Sequence, residues 1–308
     1  MSFLQQDEPI NQLIARIPVL KNVLSVEPLH GGLTNRNFCV TTSSGNYFLR
    51  ISDPSSAALC INRENERINT ALAYTAGIGA ELIAAYPEEH AMVLNWIHGK
   101  TLHAEDIHQN KELLARMAIA LKKLHSSQSF HGDFYFPVIR KKYLQTVLEN
   151  KYFMPDHYLD KEHLIVALEK QLADTAESFV SCNNDLLAEN FIDDGNKIWI
   201  IDYEYAGQNE ASFEIGNLAN ELFLDDNELA FFCKTYWNEH LPGKIARAKA
   251  WSVIARYGWT LWASIQEAIS PIDFDFRTWG LKKWNAALKD LTDESFTIIL
   301  KNLKKYDT

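Results

Sequence analysis

Cysteine is scarce and scattered in this chain. The four thiols, Cys39, Cys60, Cys182 and Cys233, form no C-x-x-C pair and have no histidine at metal-ligand spacing. A disulfide framework and a zinc site are therefore unsupported, and reduced thiols in the cytoplasm are the expectation. Long hydrophobic runs are missing too: nowhere do about 18 uncharged apolar residues follow one another, so no membrane span is expected. The stretch from Met1 to Glu8 lacks the basic region and apolar run of an export signal. Positive charge is in deficit, with 30 Lys and Arg against 40 Asp and Glu and a formal charge of -10. That balance excludes a general nucleic-acid surface, which needs a basic face to release counterions, and suits a cationic small substrate. Repeats, low-complexity tracts and linkers long enough to separate independent domains are absent. What remains is 308 residues, 47% of them hydrophobic, enough to bury a large core in one domain or two lobes.

One stretch organises the rest. Cys182-Asn183-Asn184-Asp185-Leu186-Leu187-Ala188-Glu189-Asn190 is followed by a short apolar run, Lys197 to Ile201, that delivers Asp202-Tyr203-Glu204-Tyr205. An aspartate, an asparagine five residues on and a second aspartate at a strand end are what ATP-dependent phosphoryl transfer needs. The first orients a hydroxyl and takes its proton, and the other two hold Mg2+ against phosphates. The Asp185 to Asn190 interval equals that of the protein-kinase catalytic loop, and Asp202 sits where those enzymes carry D-F-G. Asx residues also crowd ordinary turns, so D-x-x-x-x-N alone is a weak pattern. The apolar strand ending in Asp202 strengthens it, because a hairpin sets two metal ligands side by side.

Upstream, residues 9 to 20 read as an amphipathic helix with Ile10, Leu13, Ile14, Ile17 and Leu20 on one side. Strands are predicted over Val23 to Leu29, Arg36 to Thr42, Asn46 to Ile51, Leu82 to Tyr86 and Ala91 to Ile97, giving a five-stranded antiparallel sheet. Between the first two lies His30-Gly31-Gly32-Leu33-Thr34-Asn35, a turn through which backbone amides can approach an anion. It lacks the G-x-G-x-x-G of protein kinases and is equally an ordinary hairpin turn. Arg50, on the third strand, falls where a kinase places its phosphate-binding cation. Glu66, on a helix from Asn62 to Ala76, falls where the carboxylate orienting that cation is expected, although Arg63, Glu64 and Arg67 are its neighbours. Leu94 to Ile97 would be the hinge whose backbone holds adenine.

From residue 99 onward helices dominate. One, capped by Asn110, carries Leu113, Leu114, Met117, Leu121 and Leu124 on one face. His125 reads as a core histidine. Two more follow across Met154-Pro155-Asp156. Helices near 211 to 223, 226 to 238, 243 to 268 and 275 to 290 come next, with a last one starting at Thr292 or Asp293. Five of the eight tryptophans, Trp251, Trp259, Trp262, Trp279 and Trp284, fall in this C-terminal part. Core packing accounts for Trp251 and Trp284. Trp259 and Trp262 share a helix face, and with Trp279 they either pack a core or line a cavity for a quaternary ammonium, which ring faces attract without hydrogen bonds.

The Gly31 to Asn37 turn, Phe48-Leu49-Arg50-Ile51, the Asn183 to Asn190 loop, Ile201 to Gly207, and the tail from Trp259 to Gln266 with Ser270 and Ile272-Asp273-Phe274 resemble the choline/ethanolamine kinase family. The likeness covers nearly the whole chain, from about Leu29 to Trp284. It implies an α+β, two-lobed protein-kinase-like fold of the aminoglycoside-phosphotransferase type. Residues 1-98 would form an ATP-binding lobe, and 99-308 a helical catalytic and substrate-binding lobe. The implied function is ATP-dependent phosphorylation of an amino alcohol, foremost choline, with ethanolamine, thiamine or an aminoglycoside as alternatives. A non-catalytic binding protein of the same fold is the alternative from another class. The resemblance assigns the base to Asp185 and Mg2+ to Asn190 and Asp202. It assigns ATP to Gly31, Gly32, Thr34, Asn35, Arg50, Glu66, Leu94 and Ile97, and the amine to Tyr205, Glu221, Trp259, Trp262 and Trp279. Two departures stand out. Asn183 replaces the usual His, which predicts a less rigid loop, and Asp226 replaces a cage tyrosine, which predicts a more open pocket. The preferred alcohol and the oligomeric state, a homodimer included, are left open.

Overall fold

The computed structural model of the protein describes residues 10-29 and 32-306. The N-terminal part runs α1 (Ile10–Ala15), β1 (Val23–Leu29), β2 (Asn35–Thr42), β3 (Gly45–Ser52), α2 (Arg63–Thr75), β4 (Leu82–Tyr86) and β5 (Ala91–Asn95). Its strands make one antiparallel sheet in the order β1-β2-β3-β5-β4. The β2–β3 hairpin turns at Gly45, whose φ of 141° only glycine adopts readily. Helix α1 stops at Ala15, well short of the helix read from the sequence. Pro18 has no N–H to give a helix and pushes Ile17 out of helical geometry. Leu13, Ile14, Ile17 and Leu20 still bury together against the sheet. In α2 the Asn62 side chain accepts from the amides of Glu64 and Asn65, both at 3.0 Å, which fixes the turn that carries Arg63 and Glu66.

The remainder is mainly helical: β6 (Lys100–Thr101), α3 (Ala104–Ile107), α4 (Lys111–His125), α5 (Phe136–Asn150), α6 (Glu162–Asp174), β7 (Phe179–Cys182), β8 (Phe191–Asp193), β9 (Ile198–Ile200), β10 (Gly207–Glu210), α7 (Ala211–Glu221), α8 (Asp226–Trp237), α9 (Pro242–Ile269), α10 (Phe276–Asp290) and α11 (Asp293–Tyr306). Short strands frame the central loop. β7 pairs with β10, and β6-β8-β9 form a small antiparallel sheet. At 28 residues α9 is the spine of this half, touching α5, α7, α10 and α11. Gly216 lets α7 lie against it, since a Cβ there would come 2.2 Å from the Ala248 carbonyl oxygen. Trp251 and Trp284 are buried in this core. Among the described residues, no helix is long and apolar enough to cross a membrane.

Candidate active site

The loop between β7 and β8 is held from several sides. Asn184 adopts left-handed backbone (φ 70°), a conformation asparagine tolerates. Its amide donates to Glu214 Oε1 of α7 at 2.6 Å, and its side chain donates to the Tyr205 carbonyl at 3.0 Å. Glu214 bonds in turn to His125 Nε2, whose Nδ1 meets the Tyr236 hydroxyl at 2.6 Å. His125 is thus a satisfied core histidine. Cys182 lies nearby, with Sγ 3.7 Å from the same Nε2. The Glu214 oxygen and Nε2 bond each other directly, so the trio braces the loop through hydrogen bonds.

Asn183 is fully buried, accepts from the Asp185 amide (3.1 Å) and donates to the carbonyls of Ile201 (3.2 Å) and Asp202 (2.7 Å). The asparagine thus makes three hydrogen bonds of its own. Asn183 ties the aspartate at 185 to the aspartate at 202. Asn190 donates from Nδ2 to the Asp185 carbonyl at 2.6 Å, and its Oδ1 has no partner among the described residues. The hairpin β8–β9 carries Asn190 at one end and Asp202 at the other. Asp202, also left-handed at φ 64°, has Oδ1 engaged by Arg50 Nη1 at 2.9 Å. The Asp185 carboxylate accepts no hydrogen bond among the described residues. Burial first, then the charges of Glu204, Asp202 and Glu221, push its carboxyl well above the ordinary carboxylate range, with Lys283 pulling the other way.

These groups open into one cavity of about 540 Å³ between the sheet and the helical half. Gly32, Thr34, Arg50, Leu94, Ile97, Asp185, Asn190, Asp202, Tyr205, Glu221, Trp259, Trp262 and Trp279 all line it. At the hinge, neither the N–H nor the C=O of Ile97 has a hydrogen-bond partner among the described residues. Arg50 donates to Glu66 Oε1 at 2.6 Å, which selects Glu66 from its charged neighbours, and its buried Nε has no partner. Gly31 lies outside the described residues.

Two expected contacts take a different form. Asn35 does not line the cavity; its side chain donates to Glu204 Oε2 (2.8 Å) and accepts from Arg63 Nη2 (3.0 Å). Thr34 lines the cavity, but its hydroxyl donates to Glu204 Oε1 at 2.8 Å. Glu204, two residues beyond Asp202, thereby fastens the Gly-rich turn to the helical half. Burial and the charge of Asp202 push its carboxyl up to about 6, against Arg63 and Arg50. Nothing local in the sequence marks this partnership, because about 170 residues separate its members. Gln266 Nε2 adds a second fastening, donating to the Leu33 carbonyl at 2.7 Å.

At the far end of the cavity, Trp259, Trp262, Trp279 and Tyr205 stand in contact, with centroid separations of 5.4 Å for Trp262 and Trp279 and 5.6 Å for Tyr205 and Trp259. Two of the three indole N–H groups are already used. Trp262 Nε1 donates to the Tyr205 hydroxyl (2.8 Å) and Trp259 Nε1 to Asn217 Oδ1 (2.9 Å). Asn217 also donates to the Asn184 carbonyl at 3.3 Å, joining the aromatic wall to the loop of Asp185. Asp226 has no place here. It is exposed at the start of α8, paired with Lys249 at 2.7 Å, so it does not widen the pocket as its sequence position suggests.

A cleft between an antiparallel sheet and a helical half, with Asp185, Asn190 and Asp202 opening into it, is the arrangement of the kinase-like phosphotransferases. The choline/ethanolamine kinase family model matches residues 26–288. The chain is 28% identical to a choline/ethanolamine kinase family protein of Mesorhizobium loti (TM-score 0.82, 96% of this chain and 98% of that one). It is 27% identical to the choline kinase LicA of Streptococcus pneumoniae (TM-score 0.79, 92% and 98%). It is also 26% identical over 298 residues to a probable ethanolamine kinase of Arabidopsis thaliana (86% of this chain, 79% of the relative). The chain belongs to the choline/ethanolamine kinase family and is a phosphotransferase acting on an alcohol group.

Proposed function

We propose that this chain transfers the terminal phosphoryl group of ATP to the hydroxyl of choline, giving phosphocholine and ADP. The observation that carries the choice of alcohol is the state of the aromatic wall. Trp259 and Trp262 have spent their N–H donors on Asn217 and Tyr205, so they offer the cavity ring faces. Such faces attract a methylated ammonium at roughly 0.5 to 2 kcal/mol each, and they give a primary ammonium none of the acceptors it leaves behind in water. Glu221, the acid at this end, is already paired with Lys283.

In this reading residues 1-98 form the ATP-binding lobe and residues 99-308 the catalytic and amine-binding lobe. Adenine lies at Leu94 to Ile97, where the backbone of Ile97 has a donor and an acceptor to spare. The phosphates lie beneath Gly32 and Thr34, with Arg50 and its unpartnered Nε beside them. Asn35 and Glu66 act by fixing that turn and Arg50. The free oxygens of Asn190 and Asp202 are the hard donors that suit magnesium. Mg2+ bound there neutralises charge on the phosphates. Asp185 faces the substrate hydroxyl and takes its proton; its carboxylate lines the cavity and accepts no hydrogen bond from the described residues, which leaves it free for that step. An ATP-dependent reaction on a chain with four unpaired cysteines belongs in the cytoplasm.

The test is ADP release by the purified protein with ATP and Mg2+ against choline, ethanolamine, thiamine and an aminoglycoside. Choline is expected to give the highest kcat/KM and Asp185→Asn to abolish turnover. Trp262→Ala is expected to raise the KM for choline about fivefold, on the order of 1 kcal/mol. A higher kcat/KM for any other acceptor, or an unchanged KM in Trp262→Ala, sinks the choline reading.

A further inference from the structure

We infer that Lys283, a residue behind the aromatic wall, sets which ammonium the cavity prefers. This rests on the proposed amino-alcohol kinase reading. Lys283 projects from α10 one helical turn after Trp279. Its ammonium donates to Glu221 Oε1 at 2.5 Å and lies 4.7 Å from the centre of the Trp279 ring. Both members of the pair are nearly buried, with 11% and 8% of their side chains exposed. Glu221 lines the cavity and Lys283 does not. The lysine therefore compensates from behind a carboxylate that the substrate meets from the front.

The chemistry of that carboxylate decides selectivity. A primary ammonium entering the cavity gives up hydrogen bonds to water and must replace them with acceptors. At this end of the cavity the acceptors are few. The Tyr205 oxygen already takes the Trp262 N–H, and Asp185 is committed to the hydroxyl, which leaves Glu221. With Lys283 in place, one Glu221 oxygen is used and its charge is balanced, so N–H donors gain little there. A quaternary ammonium has no N–H and loses nothing by this. The lysine thus favours methylated amines without touching them. Removing its charge leaves a nearly buried, uncompensated carboxylate, which recruits N–H donors strongly.

The experiment measures kcat/KM for ethanolamine, N-methylethanolamine, N,N-dimethylethanolamine and choline in the wild type, Lys283→Met, Lys283→Arg and the double variant Glu221→Gln/Lys283→Met. Their ratio is the readout, because general damage to the fold lowers all four alike. The ethanolamine-to-choline ratio is expected to rise about tenfold or more in Lys283→Met, through KM. It should stay near the wild-type value in Lys283→Arg, which keeps the cation, and in the double variant, which has no carboxylate to free. The double variant also leaves no lone buried charge, so it tests the idea even if Lys283→Met fails to fold. A ratio unchanged in Lys283→Met, or shifted toward ethanolamine in the double variant, overturns the role of Lys283 while leaving the kinase reading intact. Turnover of none of the four amines by the wild type overturns both.

Discussion

Asn183 is the residue on which the two acids of the cleft depend. Its three hydrogen bonds hold the Asp185 amide and the Ile201 and Asp202 carbonyls in one geometry, at a position with no exposure to solvent. Asn183→Ala removes them all and leaves the polar groups at 185 and 202 to find other partners or none. At about 1 kcal/mol for each of the two better bonds, kcat is expected to fall roughly thirtyfold, with the KM values for ATP and the amine changed much less. Steady-state kinetics beside a thermal melt check it. A loss that appears mainly in KM, or only as lost stability, would show that Asn183 does not fix the reacting geometry. That Asp185, Asn190, Asp202, Arg50 and Glu66 would meet was legible because the first three fall within one short loop-and-hairpin stretch and the other two on a strand and the helix that follows it, and the structure brings them together around one cavity. Glu204, Arg63 and Asn217 were not, since each gains its meaning from a partner on a distant segment. For the same reason Thr34 and Asn35 looked like free phosphate ligands until Glu204 was seen to hold them.

Among the elements, the hairpin β8–β9 matters most, because Asn190 enters it and Asp202 leaves it. Its far end is tied down by Arg116 of α4, which donates twice to Asp193, at 2.6 Å on each oxygen. Those bonds hold the Asp193 carboxyl below its ordinary range. A carboxyl whose proton affinity is lower in the folded state stabilises the fold above its unfolded pKa and loses that contribution as pH falls through the folded one. Asp193→Asn is therefore expected to cost about 0.5 to 1 kcal/mol at pH 7, and the gap from wild type should close as pH drops below about 4. Denaturant unfolding of the pair at several pH values measures it, and a gap independent of pH would exclude the ion pair as its source. The long elements were legible: five strands and the major helices announce themselves through alternation, helical spacing and Asn caps. β6, β7 and β10 were not, because two to four residues hold no period, and their pairing comes from the surrounding structure. The end of α1 was misread because apolar spacing continued past Pro18, and there the proline decided.

At the scale of the whole molecule, the boundary at residue 98 follows the chain but not the cores. The sheet has its own small core of Val40, Leu49, Ile51 and Val93 with α1 beneath it. Leu59, however, belongs to the core around α9, and Ala73 and Ile78 belong to the core around α4 and α7. Polar ties follow the same division. Tyr143 donates to the Leu59 carbonyl at 2.9 Å, Asn69 donates to the carbonyls of His131 and Ala206, and the Ile200 amide donates to the Ile78 carbonyl at 2.9 Å. Helix α2 is thus anchored on the helical half while Arg50 rides on the sheet, and the Arg50–Glu66 pair spans the join. Hydrogen exchange in subdenaturing guanidinium is expected to show α2 opening together with α9, at the highest free energy in the protein. The strands β1 to β5 should open no later than α2, since their separate core is smaller. ATP with Mg2+ should raise the protection of the sheet more than that of α9, because it adds contacts across the cleft to the half with fewer of its own. If α2 exchanges with the strands while α9 stays protected, the division by cores is wrong and residue 98 marks the mechanical boundary after all.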